Sequence, residues 1–209
     1  MQLDRFPVFP FLCLLLIGAG SASCARPIVV DTCYTPDARC SSAIIAEIGA
    51  ARSEVLVQAH ALTAKPVMDA LVQAREAGVS VTVILDHSSP FTQNSAVYLS
   101  TQKGVPTFTD SRHAVAGNNV VIIDKSTVIT GSMDFTEEAE EKNAENVVII
   151  RSESVAGEYL ANWNAHREHA EEFVKIAEPP KVEQPPQKVE KKKPAKGKKK
   201  KKKPSTSGT

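Results

Sequence analysis

Five histidines set the limits of the acid–base chemistry open to this chain: His60, His87, His113, His166 and His169. Histidine is the side chain whose proton moves near neutral pH, so it serves as nucleophile, general acid or metal ligand. His60 ends the apolar run "EVLVQAH", and His87 follows "VTVILD". Both fall at the C-terminal ends of predicted strands, where α/β sheets often gather their sites. They are candidates for general base or nucleophile. His113 lies four residues before Gly117, two pleats away along an extended chain. His166 and His169 sit three apart on a predicted helix, and Glu172 continues their row. Such a row could hold a metal. The row alone is a weak signal, "HREHAEE" is read first as an ordinary solvated helix end, and no metal or other cofactor is assigned.

A second constellation lies between Ala114 and Thr136, in "AVAGNNVVIIDKSTVITGSMDFT". It reads as strand, tight turn, strand, then a glycine–serine step. The chemistry-bearing positions are Gly117, Asn119, Asp124, Ser132 and Asp134, followed by Asn143, Glu145 and Asn146. On a strand, positions 117 and 119 share a face and would meet one ligand. Position 124 has the opposite parity and lies at the turn, so Asp124 is expected to bond nearby backbone. Gly117 brings no side chain, and Asn119 brings no charge.

These residues need a scaffold. "RSEVLVQAHAL" and "VSVTVILDH" are short runs of Val, Ile and Leu that read as buried strands. Each follows a helical pattern. "SSAIIAEIGAAR" puts Ile44, Ile45 and Ile48 on one face. "AKPVMDALVQAREAG" aligns Val67, Met68, Leu71 and Val72, with Pro66 near its start and Gly78 past its end. A third helix near 94–103 leads to the strand "VPTFT". Later, "NNVVIID", "TVIT" and "ENVVII" read as strands, the first two joined as a hairpin. A last helix is expected from Glu153 to Ile176, with Val155, Tyr159, Trp163 and Ala170 packing inward. The alternation predicts an α/β domain whose sheet is parallel early and antiparallel late.

The ends differ from the middle. Residues 1–25 have the layout of a secretory signal peptide: Arg5, an apolar run, then the small residues "GSASCA". The run is too short to span a membrane comfortably. Cleavage is expected near Ala25, giving an exported chain, periplasmic or secreted. Cys24 leaves lipid anchoring open as the weaker alternative, since "SASC" lacks the usual Leu. Residues 179–209 hold 12 Lys and 2 Glu, a net of +10 in a chain whose total is +1. The remainder is therefore acidic, at −9. A tail with so few large apolar residues cannot offset its ordering entropy and is expected to be disordered. Its lysines would attract the phosphates of nucleic acid, phospholipid or lipopolysaccharide. Between the ends, residues 26–178 suffice for one domain. There Cys33 and Cys40 read as a disulfide in an exported protein, with two free thiols as the alternative.

Taken in order, "YTPDARCSSAIIAEIGAARSEVLVQAHALT", "VMDALVQAREAGVSVTVILD", "VVIIDKSTVITGSMDFT" and "KNAENVVII" resemble the phospholipase D superfamily. The likeness is to its single-motif branch of bacterial nucleases and phospholipase D-like proteins, and it covers about residues 28–169. It implies an α/β/α sandwich around a mixed β-sheet, a homodimer, and phosphodiester hydrolysis through a histidine-bound phosphoryl intermediate. In the family motif, His-x-Lys-x4-Asp is followed by Gly-Ser-x-Asn. Aligned on "VVIID", the Asp is Asp124, while the Lys and His positions hold Asn119 and Gly117. Asp134 stands where Asn is usual. Ser132, Asn143 and Glu145 are retained, and the resemblance gives Glu145 the task of orienting a histidine that is absent here. His60 stands where the family usually has Tyr. The expectation is a degenerate enzyme scaffold retaining a phosphate pocket at Ser132, Asn143 and Asn119. The alternatives are an active phosphodiesterase using His60 or His87, and a purely structural dimeric module.

Overall fold

A computed structural model describes residues 28–174. The segment expected to be a signal peptide and the lysine-rich tail lie outside the described residues. An eight-stranded mixed sheet runs through the middle. Its strands are β1 (Val29–Tyr34), β2 (Glu54–Ala59), β3 (Ser80–Asp86), β4 (Thr107–Asp110), β5 (Val120–Ile123), β6 (Thr127–Gly131), β7 (Asn146–Arg151) and β8 (Glu171–Glu172). The spatial order is β1-β7-β6-β5-β2-β3-β4-β8. The β2–β3 and β3–β4 pairs are parallel; the other neighbours are antiparallel. This is the mixed sheet expected from helix–strand alternation followed by a hairpin.

Strand parity explains the layers. In β2, Val55, Val57 and Ala59 face one core, while Leu56 faces the other. In β5, Val121 and Ile123 face the first core, and Val120 and Ile122 the second. Side chains that alternate faces and are apolar on both require cover on both. Helices α1 (Cys40–Gly49) and α2 (Lys65–Glu76) cover the first face with Ile44, Ile48, Val67 and Leu71. The second face is covered by the last long helix, α5 (Glu153–Arg167). Its buried Trp163 donates its indole N–H to the Val57 carbonyl at 3.1 Å. The result is an α/β/α sandwich.

Short elements connect these layers. Helix α3 (Thr92–Ala96) continues into a π-helical turn, Val97–Gln102. Helix α4 (Glu137–Glu141) was not legible from apolar periodicity. Thr136 caps it by accepting from the Ala139 N–H at 3.1 Å. Cys33 and Cys40 form a disulfide that ties β1 to the start of α1.

The last helix departs from expectation. It stops at Arg167 rather than reaching residue 176, and the chain turns back to form β8 on the edge of β4. The physical reason is the unpaired rim of β4. Phe173 N–H donates to the Thr107 carbonyl at 2.9 Å. Ala170 is buried as expected, but from a turn, not a helix. Glu172 consequently sits in an exposed strand and not in the row of His166 and His169.

Gly131 closes β6 with φ +155°, and a Cβ there would come within 2.1 Å of the Asn146 carbonyl oxygen. The clash is with backbone, which cannot swing aside. Gly131→Ala should destabilise the fold by about 1–3 kcal/mol, read as a lower urea midpoint with unchanged slope.

Candidate active site

The C-terminal ends of β2 and β3 and the start of β5 meet at one rim of the sheet. Antiparallel pairing sets Gln58 opposite Val120, and so carries His60 and Asn119 to the same place. The His60 backbone N–H donates to Asn119 Oδ1 at 3.3 Å. Asn119 is buried, and its amide donates to Asp134 Oδ1 at 3.0 Å. Gly117 precedes β5 and is exposed. A Cβ built on it would meet nothing nearer than a Val115 methyl at 4.0 Å. Positions 117 and 119 therefore both lie just ahead of the strand, one open to solvent and one closed.

The glycine–serine step forms a second group. Ser132 Oγ donates to Glu145 Oε2 at 2.5 Å and accepts from the Asn146 backbone and side-chain N–H groups at 3.1 Å each. Asn143 donates to Glu145 Oε1 at 3.3 Å. Of the residues expected to line a phosphate pocket, Ser132 and Asn143 bond the Glu145 carboxylate, while the Asn119 amide bonds Asp134 and lies 3.5 Å from the Ser132 carbonyl oxygen.

Beside this group lies a cavity of about 530 Å³ whose lining includes His60, Asp134, Glu137, Glu138, Glu141 and Lys142. Four carboxylates against one lysine make an unfavourable seat for a phosphate anion. His60 is held at its Nδ1 by Asp86 Oδ2, at 2.8 Å. Asp86 is fully buried and also accepts from Ser88 Oγ at 2.5 Å and the Ala116 N–H at 3.1 Å. Burial alone would raise the Asp86 carboxyl. The hydrogen bonds from Ser88, Ala116 and His60 outweigh it and hold the carboxyl below its usual range. His87 is exposed, and its backbone N–H donates to the Asp110 carbonyl at 3.0 Å.

Asp124 lies away from this rim. It occupies the β5–β6 turn with φ 49°, followed by Lys125 at 55°. Its carboxylate accepts from the Arg52, Ser53 and Glu54 N–H groups and from Ser53 Oγ, at 2.7–2.9 Å. The bonded backbone is some seventy residues distant in sequence, not the local turn that was expected. Asp124 thus caps the entry to β2 and touches no other motif residue.

His113, expected only as a remote stand-in for position 117, turns away to Asp110, as do His166 and His169. Asp110 was not singled out in the sequence. The spacings D-x2-H at Asp110–His113 and H-x2-H at His166–His169 were the available signal.

A family model described as "Cardiolipin synthase, PLD-like domain" matches residues 44–167. The chain belongs to the phospholipase D superfamily. A phospholipase D of Rickettsia prowazekii is 38% identical over 134 residues, which are 64% of this chain and 65% of that protein. The match thus spans just under two thirds of that relative. Among solved structures, the phospholipase D family member Nuc of Salmonella typhimurium aligns with TM-score 0.67 and 29% identity. The alignment covers 70% of this chain and 99% of Nuc. NucT of Helicobacter pylori aligns with TM-score 0.63 and 18% identity, over 70% of this chain and all of NucT. The described residues thus share the phospholipase D fold of Nuc over nearly all of that chain.

Proposed function

We propose that this chain is an exported phospholipase D-fold protein that has lost phosphodiester hydrolysis and binds phosphate-bearing polyanions through its lysine-rich tail. One observation carries the loss. Where the superfamily motif calls for a lysine, Asn119 is buried and pinned to the carboxylate of Asp134. Phosphoryl transfer needs a nucleophile at phosphorus and positive charge on the non-bridging oxygens. Gly117 offers no nucleophile, and Asp134 puts negative charge where stabilisation should come. A homodimer, the assembly that the family resemblance implies, does not repair this, because both copies carry Gly117.

Binding then falls to the tail. Its net charge of +10 stands apart from an acidic body, and contacts with phosphates of this kind weaken steeply with salt. In a gel shift with single-stranded DNA, the full chain should retard the probe at low salt and release it as salt rises. A chain lacking residues 179–209 should not retard it. Equal retardation by the truncated chain would place binding on the body and overturn this part of the reading.

A second reading is favoured by the His60–Asp86 pair. A carboxylate on Nδ1 leaves Nε2 available as base or nucleophile, the arrangement used in hydrolytic triads. His60 also lines the acidic cavity. On that reading the chain is an active phosphodiesterase whose turnover is abolished by His60→Ala.

A further inference from the structure

Three imidazoles and one carboxylate converge at the far end of the same rim. Asp110, the last residue of β4, is fully buried. Its carboxylate oxygens lie 2.7 Å from His166 Nδ1, 3.1 Å from His113 Nδ1 and 3.3 Å from His169 Nε2. The three ring centroids are 5.0, 5.3 and 5.5 Å apart. Ligand atoms from all four residues fall within 4.8 Å of one another. The residues come from three places: the end of β4, the loop after it, and the end of α5 with its following turn.

We propose that Asp110, His113, His166 and His169 form a structural binding site for a zinc-class divalent metal ion. Hydrogen bonding alone leaves the cluster incomplete. His169 Nε2 is buried and meets no hydrogen-bond criterion, with Asp110 Oδ1 3.3 Å away. A buried polar atom in that condition costs free energy, and this one lies among the ligand atoms of the group. A metal held by the group takes the nitrogen's lone pair and satisfies it.

The donor set selects the ion. Three imidazoles and a carboxylate suit zinc, nickel or copper, and suit magnesium and calcium poorly because those prefer oxygen. Tetrahedral zinc binds nitrogen at about 2.0–2.1 Å, which puts ligand atoms about 3.3 Å apart. The cluster needs only a modest contraction, and His113, its most exposed member with a side chain 45% accessible, sits on a loop able to supply it. Four protein ligands fill a tetrahedron and leave no open position for substrate, which assigns the site a structural role. The ion would fasten the turn between α5 and β8 to β4. It would also fix the loop from Ser111 to Ala116, which leads into the motif at Gly117.

The test uses the full untagged chain, stripped with a chelator and titrated with zinc or magnesium. One zinc per chain is expected, with Kd below about 1 µM, and no binding of magnesium. At zinc concentrations about 100-fold above Kd, Tm should rise by about 5–10 °C. His113→Ala and His169→Ala should each weaken zinc by at least about 100-fold and abolish the Tm rise. Cobalt should give the visible bands of tetrahedral coordination, lost in the same variants. His113→Ala removes a half-exposed loop side chain, so its fold is expected to survive. Absence of zinc binding, equal binding of magnesium, or zinc affinity unchanged in both variants would overturn the proposal.

Discussion

Replacing Gly117 by His and Asn119 by Lys together is expected to raise phosphodiester hydrolysis by at least about 10³-fold over the natural chain. Removing the nucleophile from a coupled site costs on the order of 10⁴–10⁶ in rate, so most of that span is open to recovery. The scaffold can accept the first change. Position 117 is exposed, and a Cβ there meets nothing inside 4.0 Å. Glu145, which the family resemblance assigns to orienting the histidine, is already held by Ser132 and Asn143. The second change is harder. An ammonium at position 119 would be buried beside Asp134, whose oxygen now lies 3.0 Å from the Asn119 amide. That carboxylate would neutralise the new charge and hold it off the substrate. A triple variant that adds Asp134→Asn should therefore be more active than the double. Asp134→Asn alone should gain nothing. Release of p-nitrophenol from bis(p-nitrophenyl) phosphate measures all three. Equal silence in the double and the triple would show that the scaffold has lost more than its motif.

Asp124→Ala is expected to cost about 2–4 kcal/mol of stability without altering the rim chemistry. The carboxylate accepts four hydrogen bonds, three of them from consecutive backbone N–H groups at the entry to β2. Bonds to a charged acceptor are the stronger kind, and at the exposed Arg52 and Ser53 N–H groups only water would replace the carboxylate. Burial pushes the Asp124 carboxyl up. The bonds from Glu54, Ser53 and Arg52 more than offset this and lower it from 3.8 to about 2. The sign of the pH effect follows. A carboxyl lowered on folding contributes fully above its unfolded value near pH 4, and that contribution is lost as pH falls towards 2. Water reaches part of the side chain, so the titrating share is about 1–2 kcal/mol. Urea midpoints measured at pH 7, 4 and 2.5 should converge for the natural chain and Asp124→Ala as pH falls. A constant gap would separate the effect from the charge.

Strands and the sandwich were legible because apolar runs such as "VLVQA" and "VTVIL" admit few alternatives. They are too short for helices and too apolar for loops. Position 124 was legible as structural but not in its partner, since a capped backbone seventy residues away leaves no local pattern. Helix α4 was hidden because it is a single acidic turn set by its Thr136 cap. The end of α5 was misjudged because Ala170 keeps helical spacing from Trp163 while the backbone answers to the open edge of β4. The Asp110 cluster was missed for a related reason. His113 and the pair His166 and His169 are more than fifty residues apart, and they meet only because the end of α5 and the turn after it pack against the end of β4. Nothing in the sequence at Asn119 announced its bond to Asp134. That contact depends on β5 and the segment after β6 lying side by side.

The natural chain is expected not to hydrolyse phosphodiesters. The deciding measurement is the rate of p-nitrophenol release from bis(p-nitrophenyl) phosphate by the natural chain, beside its Gly117→His, Asn119→Lys variant. The expected result is a natural rate indistinguishable from buffer and a measurable rate in the variant. Turnover by the natural chain, abolished by His60→Ala, would overturn the loss of hydrolysis and assign catalysis to the His60–Asp86 pair.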